Sequence, residues 1–157
     1  NDVWITLLID FYGIKEWPGL EEASSKSLHT DKSNSINRAT MDELNKLYSE
    51  YRIEERFIPY ISMYEFEALL FSDAKILSEK MNVDISEILK IINQCGEPEN
   101  INNNPNTAPS KRLEKLSDRF KKTTTGIDIA KSIGIPKMRE ACTLFNEWLN
   151  RLESLTQ

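Results

Sequence analysis

Three carboxylates follow apolar runs that have the composition of β-strands. Asp10 ends the first run, residues 3–10. Glu65 and Glu67 follow the second run, residues 56–63. In parallel sheets, ligands bind just beyond the carboxyl ends of the strands, and Mg²⁺ prefers oxygen ligands from carboxylates, water and phosphate. The sequence therefore makes Asp10, Glu65 and Glu67 candidate ligands of Mg²⁺ or Mn²⁺ and candidate catalytic residues.

Each of these carboxylates also has an ordinary structural interpretation, which the residues alone leave open. Asp10 would cap the loop that leads to a Trp-Pro-Gly turn at residues 17–19. Glu65 and Glu67 would be solvated residues in the first turn of a helix, where the helix dipole favours acidic side chains. Residues two apart on a helix do not face each other. Glu65 is therefore the first choice of ligand in this segment, and Glu67 is the second.

A short basic motif at a predicted helix start has the chemistry of a phosphate site. Ser110, Lys111 and Arg112 follow a proline, which is common in the first turn of a helix. Backbone N–H groups, a hydroxyl and two cations at that place would bind phosphate or nucleic acid. In residues 111–122, six basic residues against two acidic ones give a local net charge of +4. This run is either a nucleic-acid footprint or, more commonly for such runs, the solvated face of a helix.

The composition is typical of one globular domain with an acidic surface. The 157 residues carry a net charge of −5, so a nucleic acid would have to meet a local basic patch or the surface of a partner. No apolar run is long enough to cross a bilayer. The two isolated cysteines suit reduced thiols in the cytosol. We therefore expect a cytoplasmic protein without membrane contact.

The first apolar run determines the expected sheet. Its residues are apolar on both faces, which is typical of a central strand in a covered parallel sheet. A helix with Thr40 as N-cap and Glu43 three residues later is predicted to connect it to the second run. A strand–helix–strand unit places its two strands side by side in parallel. The polar residues 24–39 lack periodicity and are predicted to form a surface loop with an exposed His29.

The rest of the chain is predicted to be mainly helical. Asp73 or Ser72 is the predicted N-cap of one helix and Asp84 that of the next, while Gly96 and Gly134 are predicted helix ends. The predicted helices cover residues 64–73, 73–81, 84–96, a start at 109, 126–133 and 136–152, with a loop at 97–108. The expected fold is α/β: a single domain, residues 1–157, with a small parallel sheet in residues 1–72 and a helix-rich part in residues 73–157.

Two strands alone make a poor sheet. Helices could cover both faces of the pair, or further strands could lie in a partner chain or upstream of Asn1. The chain begins without Met, directly before an apolar strand. We therefore expect N-terminal strands upstream, and we expect the sequence to be a fragment of a longer protein.

Several segments along the whole chain resemble domain-of-unknown-function family 4276. The resemblance is most specific in Glu-Phe-Glu-Ala-Leu-Leu-Phe-Ser-Asp, residues 65–73, and in Thr-Ala-Pro-Ser-Lys-Arg-Leu, residues 107–113. The matching segments are 10–13, 17–19, 56–61, 65–73, 98–102, 107–113 and 133–149. The family is similar to Toprim-type domains, which bind Mg²⁺ through acidic residues at strand ends and cleave or join nucleic-acid phosphodiesters.

This resemblance implies a function and a partner. It implies a Mg²⁺-dependent, nuclease-like subunit with Asp10 and Glu65 or Glu67 as metal ligands, encoded beside an AAA-type or ABC-like ATPase in a bacterial phage-defence locus. Family members carry an upstream Val-Glu-Gly motif that has no counterpart here, so we expect this fragment to be inactive by itself. Tyr64 stands where the family often has His. The alternative is a non-catalytic regulatory subunit that docks on the ATPase through its helical half.

Overall fold

The computed structural model describes residues 3–101 and 106–156, so residues 102–105 of the predicted 97–108 loop lie outside the described residues. The fold is α/β, with a two-stranded parallel sheet and many helices, as the sequence predicts. The chain forms two compact units, Asn1–Ser62 with Glu147–Gln157, and Met63–Asn146. No helix in the described ranges is long and apolar enough to span a bilayer.

The first unit holds the sheet. Its elements are β1 (Ile5–Asp10), α1 (Leu20–Ser25), α2 (His29–Leu47), a 3₁₀ turn (Ser49–Tyr51), α3 (Ile53–Arg56) and β2 (Phe57–Ser62), together with the later turns of α8 (Thr143–Glu153). β1 and β2 pair in parallel, in a register that runs from Ile5 opposite Phe57 to Asp10 opposite Ser62. The prediction of parallel neighbours is therefore confirmed.

Polar contacts tie α8 to one face of this sheet. The Trp148 indole N–H donates to the Thr6 hydroxyl at 2.8 Å, and that hydroxyl donates to the Ile58 carbonyl at 2.7 Å. The rings of Tyr60 and Trp148 stack with centroids 4.9 Å apart. The indole thus covers the sheet face while its N–H finds a partner, as a partly buried tryptophan requires.

The described residues do not cover β1 on both faces, as they would a central strand. Ile5 is 60% exposed and Leu8 is 46% exposed. The covered strand is β2, whose Ile58 and Ile61 are almost fully buried. In the described part of the chain, β1 pairs with β2 along one edge only. An apolar run indicates that a strand favours burial, but it does not show which elements cover the strand. The exposed end of β1 borders an apolar groove of about 460 Å³ lined by Val3, Ile5, Leu44, Tyr48, Tyr51, Ile53, Arg56 and Phe57. The expectation of further strands upstream stays a prediction.

α2 begins at His29, so the predicted loop at residues 24–39 is mostly helix. Hydrophobic periodicity misses the part of this helix before Thr40, because its buried residues include the small polar Ser33 and Ser35 beside the fully buried Ile36. The Ser35 hydroxyl donates to a Glu22 carboxylate oxygen at 3.2 Å. His29, predicted to be exposed, is buried.

Thr40 lies in the middle of α2 and does not begin it. Its hydroxyl donates to the Ile36 carbonyl four residues earlier at 2.7 Å and accepts from the Trp17 indole N–H at 2.9 Å. The Thr40–Glu43 spacing therefore imitates a capping box, while the threonine binds the tryptophan of the Trp-Pro-Gly turn.

The second unit is helical. Its elements are a 3₁₀ helix (Phe66–Ser72), α4 (Ala74–Met81), α5 (Ile85–Cys95), a 3₁₀ turn (Pro98–Asn100), α6 (Pro109–Leu116), a π-helical turn (Lys122–Gly126), α7 (Ile127–Ala141) and the start of α8. The local start signals are confirmed. The Asp73 carboxylate accepts the Ile76 N–H at 2.9 Å, and the Asp84 carboxylate accepts the Ser86 N–H at 2.7 Å.

Two predicted helices have a different form. Residues 66–72 form a 3₁₀ helix, and Ala68, Leu69, Leu70 and Phe71 are all almost fully buried, so this segment has no solvated face along those four residues. The helix predicted for residues 136–152 is broken at Cys142, where α7 ends and α8 begins. The buried Glu99 carboxylate accepts the N–H groups of Leu144 and Phe145 at 2.8 and 3.0 Å and thereby caps the new start.

Gly19 provides a test of the packing of the first unit. Its φ is +77°, and an added Cβ would lie 2.7 Å from the Ser35 carbonyl oxygen and 2.8 Å from the Ala39 Cβ. We expect Gly19→Ala to lower the free energy of unfolding by about 3 kcal/mol, from backbone strain and overpacking together. Urea denaturation measures this change.

Gly13→Ala is the matched control, because Gly13 has a φ of +88° and an added Cβ there would have no described atom within 4 Å. Only the backbone strain, about 1 kcal/mol, is expected at Gly13. Equal losses for the two variants would contradict the close approach of α2 to Gly19.

Candidate functional site

Four side chains of the second unit converge at one point. Glu65 lies three residues after the end of β2, Glu67 is in the following 3₁₀ helix, Ser110 is in the first turn of α6, and Lys122 begins the π-helical turn. The residues Glu65 and Glu67 are 6% and 7% exposed. Carboxylates are seldom buried to this extent without partners, so their contacts determine what the site can do.

The backbone at Glu65 lets both glutamates reach the same cation. Glu65 has extended backbone angles, φ −145° and ψ 152°, and the 3₁₀ helix starts only at Phe66. The Lys122 ammonium lies 3.5 Å from a Glu65 carboxylate oxygen and 3.3 Å from a Glu67 carboxylate oxygen. The expectation that only one of the two could face a cation is therefore wrong. It assumed a helix at Glu65, where the chain is still extended.

Glu65 is fixed by Ser110 at the start of α6. One carboxylate oxygen accepts the Ser110 backbone N–H at 2.9 Å, and the other accepts the Ser110 hydroxyl at 3.1 Å. The carboxylate thus caps a helix N-terminus, where unpaired N–H groups and the helix dipole both favour negative charge. Because both of its oxygens are held, Glu65 presents its charge to Lys122 in a defined orientation.

Lys122 joins this site from a part of the chain that the sequence analysis treated only as a basic run. Its side chain is 48% exposed, so the cation sits between two buried carboxylates and solvent. Partial burial lowers the pKa of Lys122, but the charges of Glu67 and Glu65 outweigh it and hold this pKa above its usual value. Lys122 begins a π-helical turn, an element that is rare and is often found at functional sites. The sequence spacing between Lys122 and Glu65 did not predict their contact.

The predicted phosphate motif is divided by the structure. Ser110 binds Glu65, whereas the Lys111 ammonium lies 2.7 Å from the Glu114 carboxylate on the exposed side of α6. The Arg112 guanidinium donates to the Thr107 carbonyl at 2.9 Å. A phosphate bound at the Ser110 N–H would therefore have to replace Glu65. Phosphate binding by Ser110, Lys111 and Arg112 stays a prediction.

Asp10 belongs to the first unit. It is the last residue of β1 and lies opposite Ser62, the last residue of β2, as the strand-end interpretation requires. Its side chain is half-buried. Its role as a metal ligand stays a prediction.

The chemistry of Glu65 and Glu67 fits a hard cation. The donors are carboxylate oxygens, the ligand type that Mg²⁺ and Mn²⁺ prefer, and they already converge on one positive charge. Ser110 would hold Glu65 from behind, as partners of metal ligands commonly do.

The Cys142 thiol offers no comparable chemistry. Burial raises the pKa of the Cys142 thiol to about 12, although a hydrogen bond with Ser72 acts in the opposite direction. A thiol with that pKa is almost entirely protonated at neutral pH and is a poor nucleophile or metal ligand.

The chain belongs to the family described as "Domain of unknown function (DUF4276)", which it matches over residues 1–153. The resemblance to this family found in the sequence is thereby confirmed over essentially the whole chain. No curated protein and no solved structure matches the chain.

Replacing each glutamate tests whether the Ser110 hydrogen bonds of Glu65 stabilise the unit more than the ion pair of Glu67 does. Glu65→Gln replaces two charge-assisted hydrogen bonds with Ser110 by neutral ones and removes the charge that the α6 N-terminus favours, so we expect a loss of about 2 kcal/mol in the free energy of unfolding. Glu67→Gln removes an ion pair whose lysine is half exposed, so we expect a loss below about 1 kcal/mol. Denaturant unfolding monitored by circular dichroism measures both values.

The two substitutions are chemically identical and lie two residues apart, so each is the control for the other. If Glu67→Gln lowers the free energy of unfolding as much as Glu65→Gln does, the ion pair with Lys122, and not the hydrogen bonds with Ser110, stabilises this part of the unit.

Proposed function

We propose that the protein is a Mg²⁺-dependent, nuclease-like subunit of the Toprim type that works with an AAA-type or ABC-like ATPase in a bacterial phage-defence system. The observation that carries this proposal is the convergence of Glu65 and Glu67 on one cation directly after β2. The position of Asp10 at the end of the parallel partner strand supports it. The ATPase and the defence role come from the resemblance of the sequence to domain-of-unknown-function family 4276, and the nuclease class comes from the similarity of that family to Toprim-type domains.

The proposed reaction is hydrolysis of a nucleic-acid phosphodiester. The oxygen of a water molecule forms a bond to phosphorus, the bond from phosphorus to the leaving sugar oxygen breaks, and the proton lost by the water is returned to that leaving oxygen. A bound divalent ion supplies charge neutralisation and an acidified water in such reactions.

The residues of this chain hold and orient the reacting groups. Asp10, Glu65 and Glu67 are the proposed carboxylate ligands, and Ser110 keeps Glu65 in its orientation through two hydrogen bonds. Lys111 and Arg112 are the proposed contacts to the phosphate backbone, where cations give affinity without sequence preference.

Substitution of the carboxylates tests the proposal in the protein as it is naturally encoded, alone and together with its ATPase. We expect Mg²⁺-dependent cleavage of DNA or RNA, and a loss of about 100-fold or more in Asp10→Asn and in Glu67→Gln. Both substitutions preserve shape, so circular dichroism and complex formation should be unchanged. Gel-based cleavage with and without EDTA measures the effect.

Glu87→Gln is the control, because Glu87 is an exposed glutamate in the first turn of α5. Its activity should equal that of the wild type. Absence of any metal-dependent cleavage of DNA or RNA, with and without the ATPase, would refute the proposal.

The alternative is a non-catalytic regulatory subunit that docks on the ATPase through its helical part. Ile85 and Leu89 favour it, because they lie one turn apart on α5 and are 39% and 41% exposed. If Asp10→Asn leaves biological function unchanged while Leu89→Asp abolishes complex formation, the regulatory role is the correct one.

A further inference from the structure

Lys122 occupies the place of a cation ligand between two buried acids. Two carboxylates buried close together repel each other, and their ionised forms need a positive charge nearby. The structure supplies that charge from Lys122, at 3.5 Å from Glu65 and 3.3 Å from Glu67. The same two carboxylates are proposed ligands of a divalent ion, so the ammonium and the ion would compete for them.

Of the groups in this site, Glu65 is fixed in position and Lys122 is free to move. Glu65 cannot easily move, because Ser110 holds both of its oxygens. Lys122, in contrast, has a half-exposed side chain on a flexible four-carbon stem. A divalent ion that bound these carboxylates would therefore displace the lysine, whose half-exposed side chain can move toward solvent.

We propose that Lys122 holds the cation position in the metal-free protein and, when a divalent ion replaces it, pairs with the phosphate group of the nucleic-acid substrate. This inference rests on the proposed function. Lys122 is then a catalytic residue: its charge-assisted contact to a phosphate oxygen stabilises negative charge that develops during hydrolysis. It also explains why a lysine from the π-helical turn reaches two glutamates that are more than fifty residues earlier in the chain.

The proposal predicts opposite effects on metal binding and on cleavage. Lys122→Met keeps an unbranched side chain but removes the charge, so Mn²⁺ should bind about tenfold more tightly while cleavage falls about 100-fold. Mn²⁺ affinity is measured without substrate, by electron paramagnetic resonance of free Mn²⁺. Mn²⁺ should also raise the melting temperature of Lys122→Met more than that of the wild type.

Lys137→Met is the matched control, because Lys137 is an exposed lysine that lies 2.7 Å from one glutamate, Glu140, in the same unit. It should change neither Mn²⁺ affinity nor cleavage. Lys122→Arg keeps the positive charge and serves if Lys122→Met does not fold. It should bind Mn²⁺ no more tightly than the wild type and retain more cleavage than Lys122→Met.

The outcomes separate this inference from the proposed function. Weaker or unchanged Mn²⁺ binding in Lys122→Met would overturn the inference, because removal of a competing positive charge must tighten the binding of the ion. Full cleavage by a folded Lys122→Met variant would overturn the catalytic role. Tighter Mn²⁺ binding in a protein that cleaves no nucleic acid would support the competition and refute the proposed function.

Discussion

The second unit depends on the burial of the Glu65 carboxylate. A carboxylate that is 6% exposed must exchange its water for protein partners, and Glu65 finds them in the N–H and hydroxyl of Ser110 and in the ammonium of Lys122. These contacts bring together the chain after β2, the start of α6 and the π-helical turn. The requirement to satisfy one buried charge thus positions Ser110 and Lys122 beside Glu65.

A second buried glutamate of this unit also caps a helix N-terminus. Glu99, 1% exposed, accepts the N–H groups of Leu144 and Phe145 at the start of α8. Both glutamates cap a helix that begins about 45 residues later in the chain. Glu65 shares the half-exposed Lys122 with a second buried acid, Glu67. This shared cation marks Glu65 as part of the candidate site, while Glu99 caps the start of α8.

The predictable parts of the fold are those whose signals are local. Asp73 and Asp84 cap the helices that directly follow them, and the two apolar runs pair in parallel. Glu65 and Glu99 cap helices about 45 residues later in the chain, and no local sequence pattern indicates such caps. The break at Cys142 and the pairing of Glu65 with Ser110 could therefore not be predicted from the sequence. Hydrophobic periodicity likewise missed the part of α2 before Thr40, whose buried residues include two serines. The sequence identified Glu65, Glu67 and Ser110 as candidates, but not Lys122, because its partners depend on the tertiary fold.

The central claim is that Glu65 and Glu67 form a cation site in which Lys122 and a divalent ion exclude each other. A crystal of the protein soaked in Mn²⁺ and measured at the manganese absorption edge tests it most directly. We expect an anomalous peak within coordination distance of both carboxylates, with Ser110 still bound to Glu65 and the Lys122 ammonium displaced toward solvent. A map without a peak there, in which Lys122 still contacts both glutamates, would contradict the claim.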